Sequence, residues 1–365
     1  MSASPKKSFR PGEIWPDNHG VHINAHGGGV LFHGGVYYWF GEHKIAGEAG
    51  NLAHVGVQVY SSRDLYNWQD EGIALAVSDD STSLLARGCI LERPKVIFNP
   101  RTKKFVMWFH LEPKGAGYTG ALSGVAVADK VTGPFQFVGA FRPNAGVWPE
   151  NVPAERRRPL SPDEAAALGR LDLLGGPVPY YPKNLVFRRD FAGGQMARDL
   201  TLFVDDDGGA YHIHAAEDNG TLHISKLSDD YLSSAGKFIR VLPGRFNEAP
   251  AMLKWRGKYF LFTSGCTGWA PNPARLLAAD SILGNWEELG NPCRGTGAQI
   301  ANTFNSQATF ILPVPGRADA FIFMADRWNP HNAVDGRYVW LPIEFKHGVP
   351  MVSWRDEWDL GFFDQ

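Results

Sequence analysis

Residues 248–265 read EAPAMLKWRGKYFLFTSG, which is an acidic residue, an apolar strand, a tight turn and an aromatic-rich second strand. The same unit occurs four more times, as HGGGVLFHGGVYYWFGE at 26–42, ERPKVIFNPRTKKFVMWFH at 92–110, DLTLFVDDDGGAYHIHAAE at 199–217 and QATFILPVPGRADAFIFMAD at 307–326. The runs are β-branched or aromatic and are bounded by Gly, Pro, Asn and Asp, which is typical of β-strands. Each copy leads into a third predicted strand, so the repeated unit is a small sheet.

This recurrence predicts an all-β fold, a five-bladed β-propeller that residues 1–365 form as a single domain. The copies are spaced close to the roughly 40–50 residues of a four-stranded blade with some loop added, except between the second and third. There an insertion at about 144–196 contains Ser161-Pro-Asp-Glu164, which predicts a capping box and a short surface helix. Two β-sandwich domains, the other all-β arrangement, would not produce a five-fold repeat.

Composition favours a carbohydrate partner and disfavours nucleic acid. Lys and Arg total 36 against 38 Asp and Glu, so the chain has no basic field to attract phosphate groups. Aromatic residues make up 13 % of the chain and include 12 Trp. Because an aromatic face covers the apolar C–H face of a pyranose ring, an oligo- or polysaccharide is the predicted partner.

The sequence gives little information on compartment or assembly. No apolar run reaches the roughly 20 residues that a transmembrane helix needs, so no membrane partner is expected. The first 15 residues are basic but lack an apolar core, so no signal peptide is visible. The protein would be cytoplasmic as written, and periplasmic or secreted if its N-terminus has been trimmed. Cys266 and Cys293 could pair in an exported protein, but three buried thiols are the simpler interpretation. Oligomeric state is not predicted.

The repeat also predicts where a functional site lies. The first strand of each propeller blade lines the central channel, so equivalent positions form a ring. Here the predicted ring is His26, Glu92, Asp199, Glu248 and Gln307. Three carboxylates around a narrow channel raise at least one carboxyl pKa, and glycoside hydrolysis needs two carboxyl groups with separated pKa values. Alternatively, the neighbouring Arg93, Lys95 and Arg198 could neutralise these carboxylates in purely structural ion pairs.

Several motifs together resemble glycoside hydrolase family 43. They are AHGGGVLFHGGVYYWFGEHK, ERPKVIFN, FNEAPAM, SGCTGWAPN and NSQATFILP, and they are most similar to the branch that contains exo-β-1,3-galactanases. The resemblance implies an inverting exo-hydrolase in which Glu248 is the general acid and Asp199 modulates its pKa. The usual family base, an Asp in blade one, is replaced here by His26, a departure that the galactanase branch shares.

The identity of the catalytic base stays open at this point. The resemblance implies that Gln307 acts as base through its imidic acid tautomer, and that Glu92 is a carboxylate essential to the site. An amide is a very poor base by ordinary pKa reasoning, so Gln307 could instead position a water that Glu92 deprotonates. A third alternative is that no competent base exists. In an inverting enzyme the acid and base should lie about 6.5–9.5 Å apart.

Further residues are predicted to contact the sugar. They are His26, Glu42, Trp269, Trp328, Arg337 and Tyr338, each of which lies near a predicted strand end or in a loop at the channel mouth. No metal-ligand spacing is visible, so no catalytic metal or required cofactor is expected, although the channel could hold a structural cation.

The predicted function is release of galactose from β-1,3-galactan, the backbone of arabinogalactan, by an exo-acting enzyme. A β-xylosidase or an α-L-arabinofuranosidase of the same family is an alternative. The missing Asp in blade one motivates another, a non-catalytic carbohydrate-binding propeller. A protein-interaction propeller is disfavoured, because such a platform has no need for a carboxylate ring.

Overall fold

A computed structural model describes residues 5–52, 54–171, 177 and 181–364. Their strands form five sheets, and in each sheet four antiparallel strands follow one another in chain order. Blade one contains β1 (His26–His33), β2 (Val36–Lys44), β3 (His54–Ser62) and β4 (Gln69–Ala76). Blade two contains β5 (Ile90–Asn99), β6 (Lys104–Glu112), β7 (Leu122–Ala128) and β8 (Gln136–Phe141).

The remaining blades repeat this arrangement. Blade three contains β9 (Leu200–Val204), β10 (Ala210–Ala216), β11 (Thr221–Leu227) and β12 (Ser234–Val241). Blade four contains β13 (Asn247–Trp255), β14 (Lys258–Gly265), β15 (Arg275–Ala279) and β16 (Glu287–Gly290). Blade five contains β18 (Gln307–Pro313), β19 (Phe321–Arg327), β20 (Arg337–Lys346) and β21 (Val349–Ser353), with the short β17 (Cys293–Arg294) pairing in parallel to β21.

The five innermost strands close into a ring. β1 contacts β5, β5 contacts β9, β9 contacts β13, β13 contacts β18, and β18 contacts β1. The chain ends meet beside blade five, where the backbones of Phe9 and Trp358 exchange hydrogen bonds of 2.7 and 3.1 Å. The five-bladed propeller predicted from the repeat is therefore confirmed.

The hydrophobic core lies between the blades. One buried cluster fills each of the five spaces between adjacent blades, as with Trp39 and Trp340 between blades one and five. The neighbouring residue Phe40 belongs to the cluster between blades one and two. Successive side chains of a strand point to opposite faces, so the aromatic runs are buried on both sides. This burial explains why these strands are apolar almost throughout.

Most of the α-helical residues that the structure describes lie in the insertion between β8 and β9. It contains a 3-10 turn (Ala154–Arg156), α1 (Pro162–Leu168) and α2 (Val186–Arg189). The predicted capping box is present, because the Ser161 hydroxyl accepts from the Glu164 backbone while the Glu164 carboxylate accepts from the Ser161 backbone. The other helical segments are α3 (Gly297–Ala301) and 3-10 turns at Gly50–Leu52, Ala333–Asp335 and Leu360–Asp364. Within the described residues, every helix is too short or too polar to span a bilayer.

Candidate active site

A cavity of about 500 Å³ opens at one end of the channel. Among the residues predicted from the sequence, it brings together Glu42, Glu92, Asp199, Glu248, Trp269, Gln307 and Trp328. Pro177 also lines it, so the insertion between β8 and β9 reaches the cavity at this residue. Residues 172–176 and 178–180 of the insertion lie outside the described residues.

A shared β-bulge positions the acidic groups. In blades one, two and four the residue after the ring position has a left-handed backbone, with φ of 61° at Gly27, 56° at Arg93 and 53° at Ala249. The strand register shifts at each of these points. A bulge leaves the extra residue unpaired in its own sheet, so its N–H group can bond elsewhere.

Each of these N–H groups donates to a carboxylate of the preceding blade. Arg93 N donates to Glu42 Oε1 at 2.9 Å, and Ala249 N donates to Asp199 Oδ2 at 3.0 Å. Gly27 N donates to Asp326 Oδ2 at 2.6 Å. The same bulge therefore fixes both the acidic residues and the contact between neighbouring blades.

Arg93 is the central cation of the site. Its Nη2 lies 2.8 Å from Asp199 Oδ2 and donates to Gln307 Oε1 at 2.6 Å, while Nη1 donates to the Ala308 carbonyl at 3.1 Å. The guanidinium also lies over the Trp328 ring, 5.1 Å from its centre. One buried side chain thus joins blades two, three and five. The planar guanidinium of Arg can donate in several directions at once, which the compact ammonium group of Lys cannot do in this geometry.

The amide of Gln307 has all four hydrogen-bonding positions occupied. Its Oε1 accepts from Arg93 and from Trp328 Nε1, the latter at 2.9 Å. Its Nε2 donates to Ser264 Oγ at 2.9 Å and to Glu248 Oε1 at 3.2 Å. Because guanidinium and indole groups offer only N–H donors, the atom that faces them must be the amide oxygen. An imidic acid tautomer would carry a proton on that oxygen, and this proton would point at two N–H donors that cannot accept it.

The carboxyl group of Glu248 is held in its protonated form. Burial, together with the negative charge of Asp199, raises the pKa of Glu248 to about 8 against the opposing charge of Arg93. Cys266 lies beside the carboxyl group, and no disulfide joins it to Cys293. Glu248 can therefore donate a proton at neutral pH.

Glu92 is held in the opposite state. Burial alone would raise its pKa, but the hydrogen bond and charge of His110 and the hydrogen bond of Tyr118 outweigh burial and lower the pKa of Glu92 to about 2. His110 Nδ1 lies 2.9 Å from Glu92 Oε2, and the Tyr118 hydroxyl donates to Oε1 at 2.9 Å. One cavity thus contains a protonated and an ionised carboxyl group.

The remaining predicted contacts in the cavity differ in exposure. Trp269 is 39 % exposed at the rim, and its ring centre lies 6.1 Å from that of Trp328. Glu42 is buried, and its second oxygen lies 2.7 Å from Lys44 Nζ. Trp269 is free to stack on a sugar, whereas Glu42 already has two partners.

Three residues that the sequence predicts to contact the sugar do not line the cavity. His26 is 1 % exposed, because its ring stacks on Tyr338 behind the cavity with 5.3 Å between ring centres. The Tyr338 hydroxyl donates to the Ile23 carbonyl and accepts from Ala25 N, so it anchors the segment before β1. Arg337 donates to the backbone of Asp335 in the adjacent loop. These three side chains have structural contacts and do not line the cavity.

Several cavity residues were missed as functional candidates. They are Asn51, Arg93, His110, Tyr118, Arg198, Asn219 and Cys266. The sequence indicates Arg93 and Arg198 only as ion-pair partners, although both are adjacent to ring carboxylates. Within the described part of the chain, no cluster of three or more His, Cys, Asp or Glu is arranged to hold a metal ion.

Removing the Arg93 charge is expected to destabilise the fold. R93M keeps most of the side-chain stem but leaves the partly buried Asp199 without its buried cation, which should reduce the free energy of unfolding by about 3–5 kcal/mol. Thermal and denaturant unfolding would measure this change. R87M is the matched control, because Arg87 pairs with Asp79 at 2.9 Å on the exposed surface, where such pairs contribute less than about 1 kcal/mol. Equal effects of the two substitutions would contradict the central role of Arg93.

Comparison with known proteins identifies similar sequences and structures. The family model for glycosyl hydrolases family 43 matches residues 179–346. A family 43 β-1,3-galactosidase, solved with galactodeoxynojirimycin, is 49 % identical, with 96 % of this chain and 100 % of that chain covered and a TM-score of 0.89. No match was found among curated protein sequences.

Two galactanases are more distant. An exo-β-1,3-galactanase from Phanerochaete chrysosporium, solved with β-1,3-galactotriose, is 30 % identical, with 97 % of this chain and 68 % of that chain covered and a TM-score of 0.76. One from Clostridium thermocellum is 32 % identical, with coverages of 96 % and 66 % and a TM-score of 0.77. This chain therefore spans about two thirds of the length of either galactanase.

Proposed function

This chain belongs to glycosyl hydrolases family 43, and from that premise we propose that it is an inverting exo-glycosidase that releases galactose from β-1,3-linked galactan. The main observation that supports this proposal is a pair of carboxyl groups in one cavity. The pKa of Glu248 is raised to about 8 and the pKa of Glu92 is lowered to about 2. Two carboxyl groups whose environments separate their pKa values can divide the acid and base roles. The sugar and linkage follow from the similar galactosidase and galactanases.

Glu248 is the general acid in this proposal. It protonates the glycosidic oxygen as the bond to the anomeric carbon breaks and the electron pair stays on that oxygen. Asp199 lies close enough to raise the pKa of Glu248, and Arg93 holds Asp199 in place. The acid thus keeps its proton until the leaving group needs it.

Glu92 is the general base in this proposal, and Gln307 is a positioning residue. A water molecule bonds to the anomeric carbon from the opposite face and gives its proton to the Glu92 carboxylate. Two observations support this division. The Gln307 oxygen faces two donors, which disfavours the imidic acid, and Gln307 Nε2 lies 3.2 Å from Glu248, which leaves no room for a water between them.

Product analysis tests the reaction and the substrate together. β-1,3-Galactobiose and -galactotriose would be incubated with the enzyme, with xylo- and arabino-oligosaccharides alongside, and the anomers followed by ¹H NMR. α-Galactose as the first product is the expected result. First release of β-galactose would contradict inversion. Release of xylose or arabinose would show that the substrate is a xyloside or an arabinoside and not a galactan. Binding without turnover on any substrate would favour a carbohydrate-binding propeller.

The pKa of Glu248 sets the alkaline limit of activity. An acid with a pKa near 8 keeps its proton below that pH and loses it above, so kcat/KM should fall about tenfold per pH unit above pH 8. A pH series on galactobiose would measure this limb, with circular dichroism at each pH to verify that the protein stays folded. A limb near pH 5 would show that Glu248 titrates like an ordinary carboxyl group and would contradict its role.

A further inference from the structure

A second carboxylate and a histidine lie directly behind Glu92. His110 Nδ1 is 2.9 Å from Glu92 Oε2, and His110 Nε2 is 2.9 Å from Glu112 Oε1. His110 and Glu112 are two residues apart on β6, so their side chains leave the same face of the strand, and His110 is opposite Glu92 in the register. Both His110 and Glu112 are fully buried.

The position of Glu112 is fixed by its own partners. Its Oε2 accepts from Ala121 N at 2.9 Å. Gly120 has no side chain to obstruct the carboxylate, since a Cβ there would lie 2.7 Å from Oε2. Glu112 can therefore hold His110 in one orientation.

The geometry fits a charged histidine between two ionised carboxylates. A neutral imidazole has one N–H donor, whereas both ring nitrogens of His110 face carboxylate oxygens, which only accept when ionised. Burial would lower the pKa of His110, but the hydrogen bonds and charges of Glu112 and Glu92 outweigh burial and raise it to about 9. With both carboxylates ionised, the row of three groups carries one net negative charge.

We propose that His110 and Glu112 are positioning residues that align Glu92 as the base and keep it ionised at acidic pH. This inference rests on the function proposed above. The imidazolium favours the charged form of Glu92, and its attraction is shared with Glu112, so Glu92 is not tied to a full ion pair of its own. Tyr118 holds the other oxygen of Glu92, so both oxygens are fixed before substrate binds.

The test variant is E112Q, which keeps the size of Glu112. A glutamine can donate to a neutral His110 and accept from Ala121 N, so the packing and hydrogen bonds survive while the charge of His110 is lost. The pKa of Glu92 should then rise by about 1–3 units, as expected when a carboxylate loses a neighbouring cation. The acidic limb of the kcat/KM profile should move to higher pH by the same amount, and the limb near pH 8 should stay in place.

A buried histidine–carboxylate pair in blade three provides the matched control. His223 Nε2 lies 2.8 Å from Glu217 Oε1, Arg240 also binds this carboxylate, and neither His223 nor Glu217 lines the cavity. E217Q should reduce thermal stability without moving the acidic limb. ¹⁵N NMR of His110 gives a readout independent of activity, because the imidazolium should lose its proton at lower pH in E112Q than in the wild type.

The possible outcomes separate this inference from the proposed function. A loss of activity in E112Q that is equal at every pH, or an acidic limb that does not move, would overturn the positioning role. If E112Q does not fold, G120A displaces the same carboxylate and should shift the limb in the same direction. If the wild type hydrolyses a glycoside other than galactan, the substrate proposal fails, and the same profiles recorded on that glycoside still test the role of Glu112.

Discussion

Replacing Glu248 with Gln is expected to reduce kcat on β-1,3-galactobiose by about 10³-fold, within the range typical of a lost general acid. The amide keeps the size of the side chain and its contact with Gln307 but has no proton to give to the leaving oxygen. Substrate binding should be retained, because the charge of the protonated acid and of the amide is the same. Steady-state kinetics would measure the loss, and calorimetry on inactive E248Q would measure binding.

The leaving group distinguishes a lost acid from a damaged site. An aryl galactoside with an acidic phenol needs little protonation, so E248Q should retain much more of its activity on that substrate than on galactobiose. E287Q is the matched control, since Glu287 is exposed on β16 of the same blade. Equal losses on both substrates would contradict the acid role. Unchanged carbohydrate affinity with no wild-type turnover would favour the non-catalytic propeller.

The sequence was sufficient to predict the propeller and the cavity at the ends of its innermost strands. The repeated unit sets equivalent residues at the start of each innermost strand, and β1, β5, β9, β13 and β18 all begin within two residues of the predicted ring positions. Because these strands are buried on both faces, they are apolar almost throughout. They can therefore be recognised in the sequence before their pairing partners are known. Four of the five ring residues do line one cavity.

The errors arise where contacts cross between blades. Arg93 was visible only as a neighbour of Glu92, because its partners Asp199 and Gln307 are more than 100 residues away in sequence. His26 occupies a ring position, yet its ring stacks on Tyr338 behind the cavity. A repeat predicts which residue reaches the channel end of a strand but not the side-chain direction that a bulge and its neighbours select.

Removing the Glu92 carboxylate is expected to reduce kcat by about 10²–10³-fold, and added azide is expected to restore part of it. In E92A the space left by the carboxylate can admit a small anion on the face where water attacks. Azide needs no base, so it should bond directly to the anomeric carbon while Glu248 protonates the leaving oxygen. The product would be α-galactosyl azide, which chromatography and NMR would identify. His110 keeps Glu112 as partner, so no uncompensated buried charge remains.

Q307A gives the decisive comparison, because the family resemblance places the base at Gln307. If Gln307 only positions Glu248, Q307A should lose activity without azide rescue. The Glu92 carboxylate stays in place, where it still deprotonates the water and repels an anion from the face at which water attacks. Formation of α-galactosyl azide by Q307A and not by E92A would reverse the assignment. Gln307 would then have to act as an imidic acid, despite the two donors that face its oxygen. Rescue of E92A alone would fit the amide orientation that Arg93 and Trp328 impose. The side chain that azide can replace is therefore identified as the base.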